Sequence, residues 1–461
     1  MLTPRLHRGV AMVVGCCLAV APAALRAQTA DTLRLSLGDA VARVLRSSDE
    51  SRIADAQVSL ADAQVMAARA AGLPQLRLNS GYTQVLKNAR ADIVGSLFRQ
   101  NFTYTTALQL QQAVFQGGRI LAASQVASRV ERAVFETREE TRAQLVMDVQ
   151  RIYLNTAFTA RLAEIQRRNL EIAGDRVAQA EQLERAGRAS RYEVLRARVE
   201  RSNLEPVVLQ AESDRVLAEL DLRRLLDLPL ETPLALATVL DPAQVRGLAA
   251  TAAAEPQPAG VRAAVRAAEA TASARDAGVR VARADLLPTV NAFFNYGYLA
   301  LPAFNGFPTA VAEQNGWFPD RNFLVTMSWP LFDGLRAKGQ IDVAQAQARI
   351  ADLDVRRLRE QASLDVARAR AELERARAVA AARESTVREA EEAFELASLR
   401  FARGIGTQLE VSDAQLALLT ARSTEARATF DLFLAVAEFA RVRAEPIPLP
   451  DGEVVPLRPS R

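Results

Sequence analysis

The amino-acid sequence predicts a mainly α-helical protein in which one helix–strand–strand–long helix–helix unit occurs twice and supplies strands to a membrane β-barrel. Three observations predict this class. Sequence landmarks recur at nearly constant spacing, two long stretches rich in helix-forming residues lack proline, and four short segments alternate between apolar and polar residues. Such short alternating segments are typical of outer-membrane strands, and helix-forming residues without proline favour long helices.

The composition excludes several classes of enzyme. The chain has 461 residues, and its two cysteines and single histidine (Cys16, Cys17 and His7) all lie near the N-terminus. Because that segment is predicted to be removed, no thiol, zinc or histidine chemistry remains for the mature protein. We expect no catalytic residues, no metal and no cofactor. The basic groups are nearly all arginines interleaved with acids, so we expect no nucleic-acid partner either.

Residues 1–27 have the three-part layout of an export signal. Arg5 and Arg8 precede an apolar stretch, Val10–Leu25, and small residues lead to a cleavage site after Ala27. An uncleaved anchor and lipid attachment at Cys16 are the alternatives. The apolar stretch is short for a membrane span, and no later segment has 18 consecutive apolar residues. The sequence therefore predicts export from the cytoplasm.

Landmarks in the two halves of the chain repeat. Phe115-Gln-Gly-Gly-Arg119 recurs 217 residues later as Phe332-Asp-Gly-Leu-Arg336, and Leu73-Pro74 recurs 214 residues later as Leu287-Pro288. Repetition of separated landmarks in the same order predicts a duplication. The predicted organisation is a signal peptide (1–27), a first repeat (28–228), a connecting segment (229–258) that wraps the outside, a second repeat (259–443) and a flexible C-terminal tail (444–461).

Each repeat is expected to contain one very long helix. No proline occurs between Pro74 and Pro206 or between Pro330 and Pro446. Residues 118–186 and 335–403 each form a stretch of about 69 residues, which is roughly 100 Å of continuous helix. Their apolar periodicity is too weak for a simple coiled coil and favours the wall of a water-filled tube, a solvated single helix being the alternative. Pro206 is expected to kink the return helix of the first repeat, for no purpose that the sequence reveals.

The alternating segments predict two β-hairpins, at about 75–115 and 289–332. Aromatic residues near their ends are typical of membrane strands, although a soluble sheet would look similar locally. We expect the strand–helix joints at Pro74, Gly117, Pro288 and Gly334. The surface loops are expected at 86–101 and 299–322, and four aromatic residues of the second loop would lie at the membrane interface or constrict the outer mouth: Phe304, Phe307, Trp317 and Phe318.

Four strands are too few to close a membrane barrel, because single-chain bacterial barrels begin at about 8 strands. An open sheet edge in lipid leaves backbone groups unsatisfied, at several kcal/mol each. The chain must therefore associate with copies of itself. The strand count alone allows two copies with 8 strands or three with 12, and a lumen wide enough for solutes favours three.

Each long helix is expected to end in a helix–turn–helix tip. Gly187 and Gly404 would take the positive φ that ends the helix. Ser190-x-x-Glu193 and Thr407-x-x-Glu410 both fit the pattern of a capping box at the start of the return helix.

The order and duplication of these motifs resemble the TolC-type outer-membrane efflux channel family, also called outer membrane factors. The resemblance rests on the Leu-Pro joints, on Trp329-Pro-Leu-Phe-Asp-Gly334, and on the twin tip motifs that begin at Gly187 and Gly404. It covers essentially all of residues 33–443. It implies a homotrimer in outer-membrane lipid, with a 12-stranded β-barrel continued by a periplasmic α-helical barrel. It also implies a periplasmic adaptor protein docking near the tips and an inner-membrane transporter of RND, ABC or MFS type.

The resemblance further places a gate at the second tip. Glu410 and Asp413 fall on two acidic positions that line the tunnel entrance in the family, and threefold symmetry would gather six carboxylates there. An ordinary helix cap for Glu410 and a solvated first-turn acid for Asp413 are the alternatives. Phe401 and Gly406 stand where the best-known member has a tyrosine and an arginine that form closing links. Closure is therefore expected to depend on other contacts, such as packing of Phe401.

The favoured function is a passive exit duct of a tripartite efflux or type I secretion system, without enzymatic activity. A periplasmic adaptor protein is the alternative, and a carboxylate-based glycoside hydrolase is a third hypothesis. The sequence does not reveal the cargo, the class of pump, or whether efflux or protein secretion is served.

Overall fold

The computed structural model describes residues 33–84, 86, 102–254, 260–300, 317–450 and 452–456. The predicted signal peptide lies outside this part of the chain. The eight helices assigned here are α1 Leu37–Ser47, α2 Asp49–Ala70, α3 Arg119–Arg185, α4 Arg191–Leu225, α5 Pro242–Ala254, α6 Ala263–Arg283, α7 Arg336–Ala402 and α8 Gln408–Val442. The strands are β1 Leu33–Leu35, β2 Gln75–Gln84, β3 Phe102–Gln116, β4 Leu234–Leu236, β5 Thr289–Ala300, β6 Trp317–Ser328, β7 Ile447–Pro448 and β8 Val454–Val455.

The helices occur in matching pairs in the two halves of the chain. The long helices α3 and α7 have 67 residues each, and the return helices α4 and α8 have 35 residues each. Each long helix packs against its return helix, α2 and α6 pack on α3, and α6 also packs on α7. The expected long helices are therefore confirmed to within one residue at each end. Pro206 lies inside α4.

The four longer strands form one antiparallel sheet in the order β2-β3-β5-β6. Register runs from Gln75 opposite Gln111 in the first pair to Thr289 opposite Ser328 in the last pair. A bulge at Val114 interrupts the pairing of β3 with β5. Because β2 and β6 each pair with only one described strand, the sheet has two open edges.

A hydrophobic core lies around the middle of the long helices. It joins the first helix, the end of α4, the middle of α3 and α7, and the C-terminal half of α8. Tyr153 is fully buried there and links elements far apart in sequence. Its hydroxyl donates to Leu35 O (2.7 Å) and accepts from Thr238 N (3.1 Å). This ties the two-stranded parallel sheet of β1 and β4 to α3.

Two expectations about connecting segments need correction. The tail from residue 444 is not free as far as the structure describes it: Ile447 and Leu449 are buried in the core, and Gln150 Nε2 donates to Pro448 O (2.9 Å). Proline ends α8, but apolar side chains beyond it still gain by burial. The second hairpin loop is shorter than 299–322, because β5 extends to Ala300 and β6 begins at Trp317.

The second hairpin ends before residue 332, because β6 stops at Ser328 and an irregular turn leads into α7. Phe304, Phe307 and the first loop, apart from Leu86, lie outside the described residues. The connecting segment contains β4 and α5, and α5 packs on α8 and α7. None of the helices in the described part of the chain is both long enough and apolar enough to span a membrane.

Candidate functional site

The first tip joins α3 to α4 through a compact turn. Gly187 has φ 69°, and Arg188 N donates to Leu183 O (2.8 Å), which satisfies a carbonyl at the helix end. At the start of α4, Glu193 N donates to Ser190 Oγ (3.3 Å) and Ser190 N donates to Glu193 Oε2 (2.9 Å). The predicted capping box is therefore complete in this tip.

The second tip has the same backbone turn, but its glutamate, Glu410, has a different partner. Gly404 has φ 73°, and Thr407 Oγ1 accepts from Glu410 N (3.2 Å), as expected. The carboxylate of Glu410, however, points to Arg400, whose Nε lies 3.5 Å from Oε2. The prediction of a full capping box is wrong for this tip, since only its Thr407 half is present.

The difference between the tips follows from one residue at the end of the long helix. Position 400 in the second copy corresponds to Leu183 in the first. Leu183 has no charge to attract Glu193, so the carboxylate of Glu193 accepts a hydrogen bond from Ser190 N at the start of its own helix. Arginine offers a guanidinium that competes for Glu410. Sequence reasoning missed Arg400 because it is ten residues from its partner and the two meet only when the turn is formed.

The other predicted gate residues are exposed in the single chain. Asp413 lies in the first turns of α8, on the same helix face as Glu410, and makes no ion pair with any residue in the described part of the chain. Phe401 lies in the last turn of α7 and is also exposed. The structure thus brings Arg400 and Glu410 together, and it leaves Asp413 unpaired within the described residues of this tip.

The strand–helix joints contain the expected proline and glycine residues. Pro74 and Pro288 each come immediately before a strand, and Gly117 and Gly334 lie at the turns into the long helices with φ of 60° and 70°. A Cβ on Gly117 would lie 2.7 Å from Ala284 O and 2.8 Å from Leu287 Cβ. The first joint is therefore packed against the end of α6, whereas no described residue beyond its chain neighbours lies within 4 Å of a Cβ built on Gly334.

The sheet has one mainly apolar face, which also carries Arg321 beside Tyr296, and one mainly polar face, which also carries Leu324. On the polar face, Asn79 Nδ2 donates to Gln109 Oε1 (3.2 Å), and Asn295 Nδ2 donates to Asn322 Oδ1 (2.8 Å). The opposite face exposes large apolar and aromatic side chains, as expected for strands that contact lipid. They are Leu76, Leu78, Tyr82, Tyr104, Leu108, Leu110, Phe294, Tyr296, Tyr298, Phe323, Val325 and Met327.

A half-buried charge network near the core joins three helices to the residue that precedes α6, and sequence reasoning did not find it. Glu140 of α3 accepts from Nε of Arg262 (2.8 Å), the residue just before α6, and from Arg441 Nη1 (3.2 Å) of α8. Arg262 also donates to Asp365 Oδ2 (3.0 Å) of α7. Sequence periodicity gave no signal, because arginine and glutamate are frequent along all of these helices.

Beside this network, Glu139 is 2% exposed, and burial raises the pKa of its carboxyl group. The charges of Arg138 and Arg142 lower that pKa in part. Arg138 Nη2 lies 3.1 Å from Oε1, but neither oxygen of Glu139 accepts a hydrogen bond from any described residue.

A sheet with one apolar face, continued by two long helical hairpins, defines the class: a subunit of an outer-membrane channel with a large periplasmic helical extension. The chain belongs to the outer membrane efflux protein family, whose model matches residues 41–227 and 260–442. This membership favours the channel over the adaptor and hydrolase hypotheses, since the family is one of channels.

Solved structures of outer-membrane channels share the fold. The Campylobacter jejuni CmeC outer membrane channel is 13% identical with a TM-score of 0.73, and the match covers 88% of this chain and 85% of that one. VceC from Vibrio cholerae is 21% identical with a TM-score of 0.69, and the match covers 88% and 95%. The open state of Neisseria gonorrhoeae MtrE is 18% identical with a TM-score of 0.68 and covers 89% of each chain. No curated protein sequence matches significantly.

Proposed function

We propose that this protein is the exit duct of a tripartite efflux or type I secretion system. It forms a passive homotrimeric channel that is gated at its periplasmic tips. A periplasmic adaptor protein recruits it to an inner-membrane transporter of RND, ABC or MFS type, which supplies the energy. The observation that carries this proposal is an antiparallel four-stranded sheet with two open edges, joined to two long helical hairpins.

The open edges support association of identical chains. β2 and β6 run antiparallel to each other, because three antiparallel pairings separate them in the sheet. The β6 edge of one copy is therefore suited to pair with the β2 edge of the next in the same antiparallel manner. Three copies give 12 strands, and closure removes every unsatisfied edge amide from lipid.

The gate is proposed at the second tip, where Glu410, Asp413 and Phe401 lie within a short stretch of chain. Acidic side chains around a threefold axis would favour cations at a narrow entrance. Phe401 is exposed in one chain, and it is suited to pack against its symmetry copies when the entrance narrows.

The adaptor is proposed to dock on the two tips, which are built on the same turn. Gly187, Ser190 and Glu193 shape the first tip, and Gly404 and Thr407 shape the second. Their rigid caps would present the neighbouring helix surfaces in fixed orientation. The exposed polar and apolar side chains beside the caps would supply the contacts.

Membrane fractionation and native mass spectrometry test the channel proposal together. The protein should fractionate with the outer membrane, run at three times the mass of the processed chain, and conduct ions in planar bilayers. A soluble monomer without conductance would reject it. Co-purification with an inner-membrane transporter from crosslinked cells tests the recruitment proposal separately.

The proposed gate is tested by Asp413→Asn in planar bilayers. Removal of the unpaired carboxylate should lower the ratio of cation to anion permeability. An unchanged ratio in a conducting trimer would remove Asp413 from the entrance.

A further inference from the structure

Arg400 is the basic partner of Glu410 at the second tip. It lies in the last turn of α7, and its Nε is 3.5 Å from Glu410 Oε2. Its Nη2 donates to Ile405 O (3.4 Å), a carbonyl of the turn itself. The guanidinium therefore lies between the turn backbone and the first turn of α8, with both side chains of the pair about half exposed.

A nearby glycine leaves the space that this ion pair needs. A Cβ built on Gly406 would lie 3.0 Å from Arg400 Cβ, 3.1 Å from Glu410 Oε2 and 3.1 Å from Phe401 N. The φ of Gly406 is outside the left-handed region, so the lack of a side chain matters here for space and not for backbone conformation. Any side chain at this position would crowd both partners of the pair.

The first tip lacks both features. Leu183 stands at the position of Arg400, and Ala189 stands at the position of Gly406. In that tip the glutamate caps the helix instead of forming an ion pair with the long helix. The two differences occur together, as expected if the arginine and the glycine serve one arrangement.

We propose that Arg400 compensates the charge of Glu410, so that Asp413 supplies the uncompensated negative charge of the entrance. A trimer would then carry three uncompensated carboxylates there and not six. Arg400 thereby sets how strongly the entrance prefers cations. This inference rests on the proposed function, in which the second tip lines the entrance.

The test measures the ratio of K⁺ to Cl⁻ permeability of full-length trimers in planar bilayers. Arg400→Gln should raise the ratio, by about twofold or more at low salt, because Glu410 becomes uncompensated. The increase should diminish at high salt, because exposed charges are screened there. Gly406→Ala should change the ratio in the same direction by crowding the pair.

Arg403→Gln is the matched control. Arg403 lies in the same tip and is exposed, and it forms no ion pair with any described residue. The same loss of charge at this position should change the ratio less. Equal effects of the two variants would mean that any positive charge in the tip acts alike, and would overturn the assignment to Arg400.

The double variant Arg400→Gln/Glu410→Gln should return the ratio close to that of the wild type. An unchanged ratio in Arg400→Gln, in trimers where Asp413→Asn changes it, would reject this inference and leave the proposed gate intact. An unchanged ratio in both Arg400→Gln and Asp413→Asn, with normal conductance, would reject the second tip as the site of the gate, and this inference with it.

Discussion

At the scale of single residues, two glycines at equivalent joints differ in what they require. Gly117 and Gly334 both adopt positive φ, which costs a residue with a side chain about 1 kcal/mol or more. Only Gly117 also lies against backbone, with Ala284 O in the way of a Cβ. The two motifs share this glycine and its positive φ, but the packing around the glycine differs.

Gly117→Ala should therefore destabilise the protein more than Gly334→Ala. Both substitutions strain the backbone. In Gly117→Ala, the new methyl group must also displace Ala284 at the end of α6 or Leu287 just before β5. We expect an additional cost of about 1–3 kcal/mol, typical of overpacking. Thermal unfolding of the purified protein measures the difference, and equal midpoints for the two variants would contradict it.

Glu139 is a residue whose charge is unfavourable in the folded state. Burial raises the pKa of its carboxyl group, so the folded state binds a proton more readily than the unfolded state does. The contribution of such a group to stability is fully present below the unfolded-state pKa, about 4.3. It is lost as the pH rises through the folded-state pKa.

Glu139→Gln should accordingly stabilise the protein near neutral pH and have little effect in acid. Glutamine is neutral and close in shape, so it mimics the protonated side chain at every pH. Thermal unfolding midpoints of wild type and variant across this pH range test the sign. A variant that is less stable than wild type at neutral pH would show that the buried carboxylate is compensated by charge.

At the scale of elements, the two tips show how one motif can form two different caps. Ser190 N donates to Glu193 in the first tip, whereas Glu410 in the second tip is paired with Arg400. The capping pattern in the sequence is the same for both. A competing partner across the turn decides where the glutamate goes.

Glu193→Ala should expose the Ser190 amide, whereas Glu410→Ala should leave the Thr407 amide unchanged. Loss of one hydrogen bond worth about 1 kcal/mol corresponds to roughly fivefold faster amide exchange. Hydrogen exchange followed at single residues in the tips measures both amides in both variants. Faster exchange of the Thr407 amide in Glu410→Ala would show that Glu410 does cap this amide, and would contradict the prediction.

The long helices and the strands themselves could be predicted from the sequence. Absence of proline and a high content of helix formers gave α3 and α7 almost to the residue, since these signals act within a few residues along the chain. The alternation of apolar and polar residues predicted the four strands of the sheet. The predicted loop at 299–322 was too long, because β5 ends at Ala300 and β6 begins at Trp317. The stretch predicted as loop, which includes Pro319, is in part a strand at the sheet edge, where proline is tolerated.

At the scale of the whole molecule, the C-terminal segment closes the core. Ile447 is fully buried and Leu449 nearly so, and they pack with side chains of α1, α3 and α8. The proline content of this segment indicated only that the helix ends. It carried no information on where the chain goes next.

Deletion of residues 446–461 should destabilise the protein strongly, whereas deletion of 457–461 should have little effect. The longer deletion removes two buried apolar side chains, at about 1.5–3 kcal/mol each, and also the acceptor of Gln150 Nε2. Thermal unfolding and the yield of folded protein in the membrane compare the two truncations. Equal stability would show that the tail is not part of the core.

The sequence by itself determined the duplication, the two long helices, the alternating strands and the glycine turns at both tips. These features depend on local preferences and on repetition, which can be read along the chain. Only the tertiary structure decided that Glu410 is paired with Arg400, that Glu139 is buried near a charge network, and that the tail is anchored. Each of these outcomes depends on which residues, distant in sequence, become neighbours in the fold. The chain has many arginines and glutamates in similar local sequence, so the sequence alone does not show which of them meet.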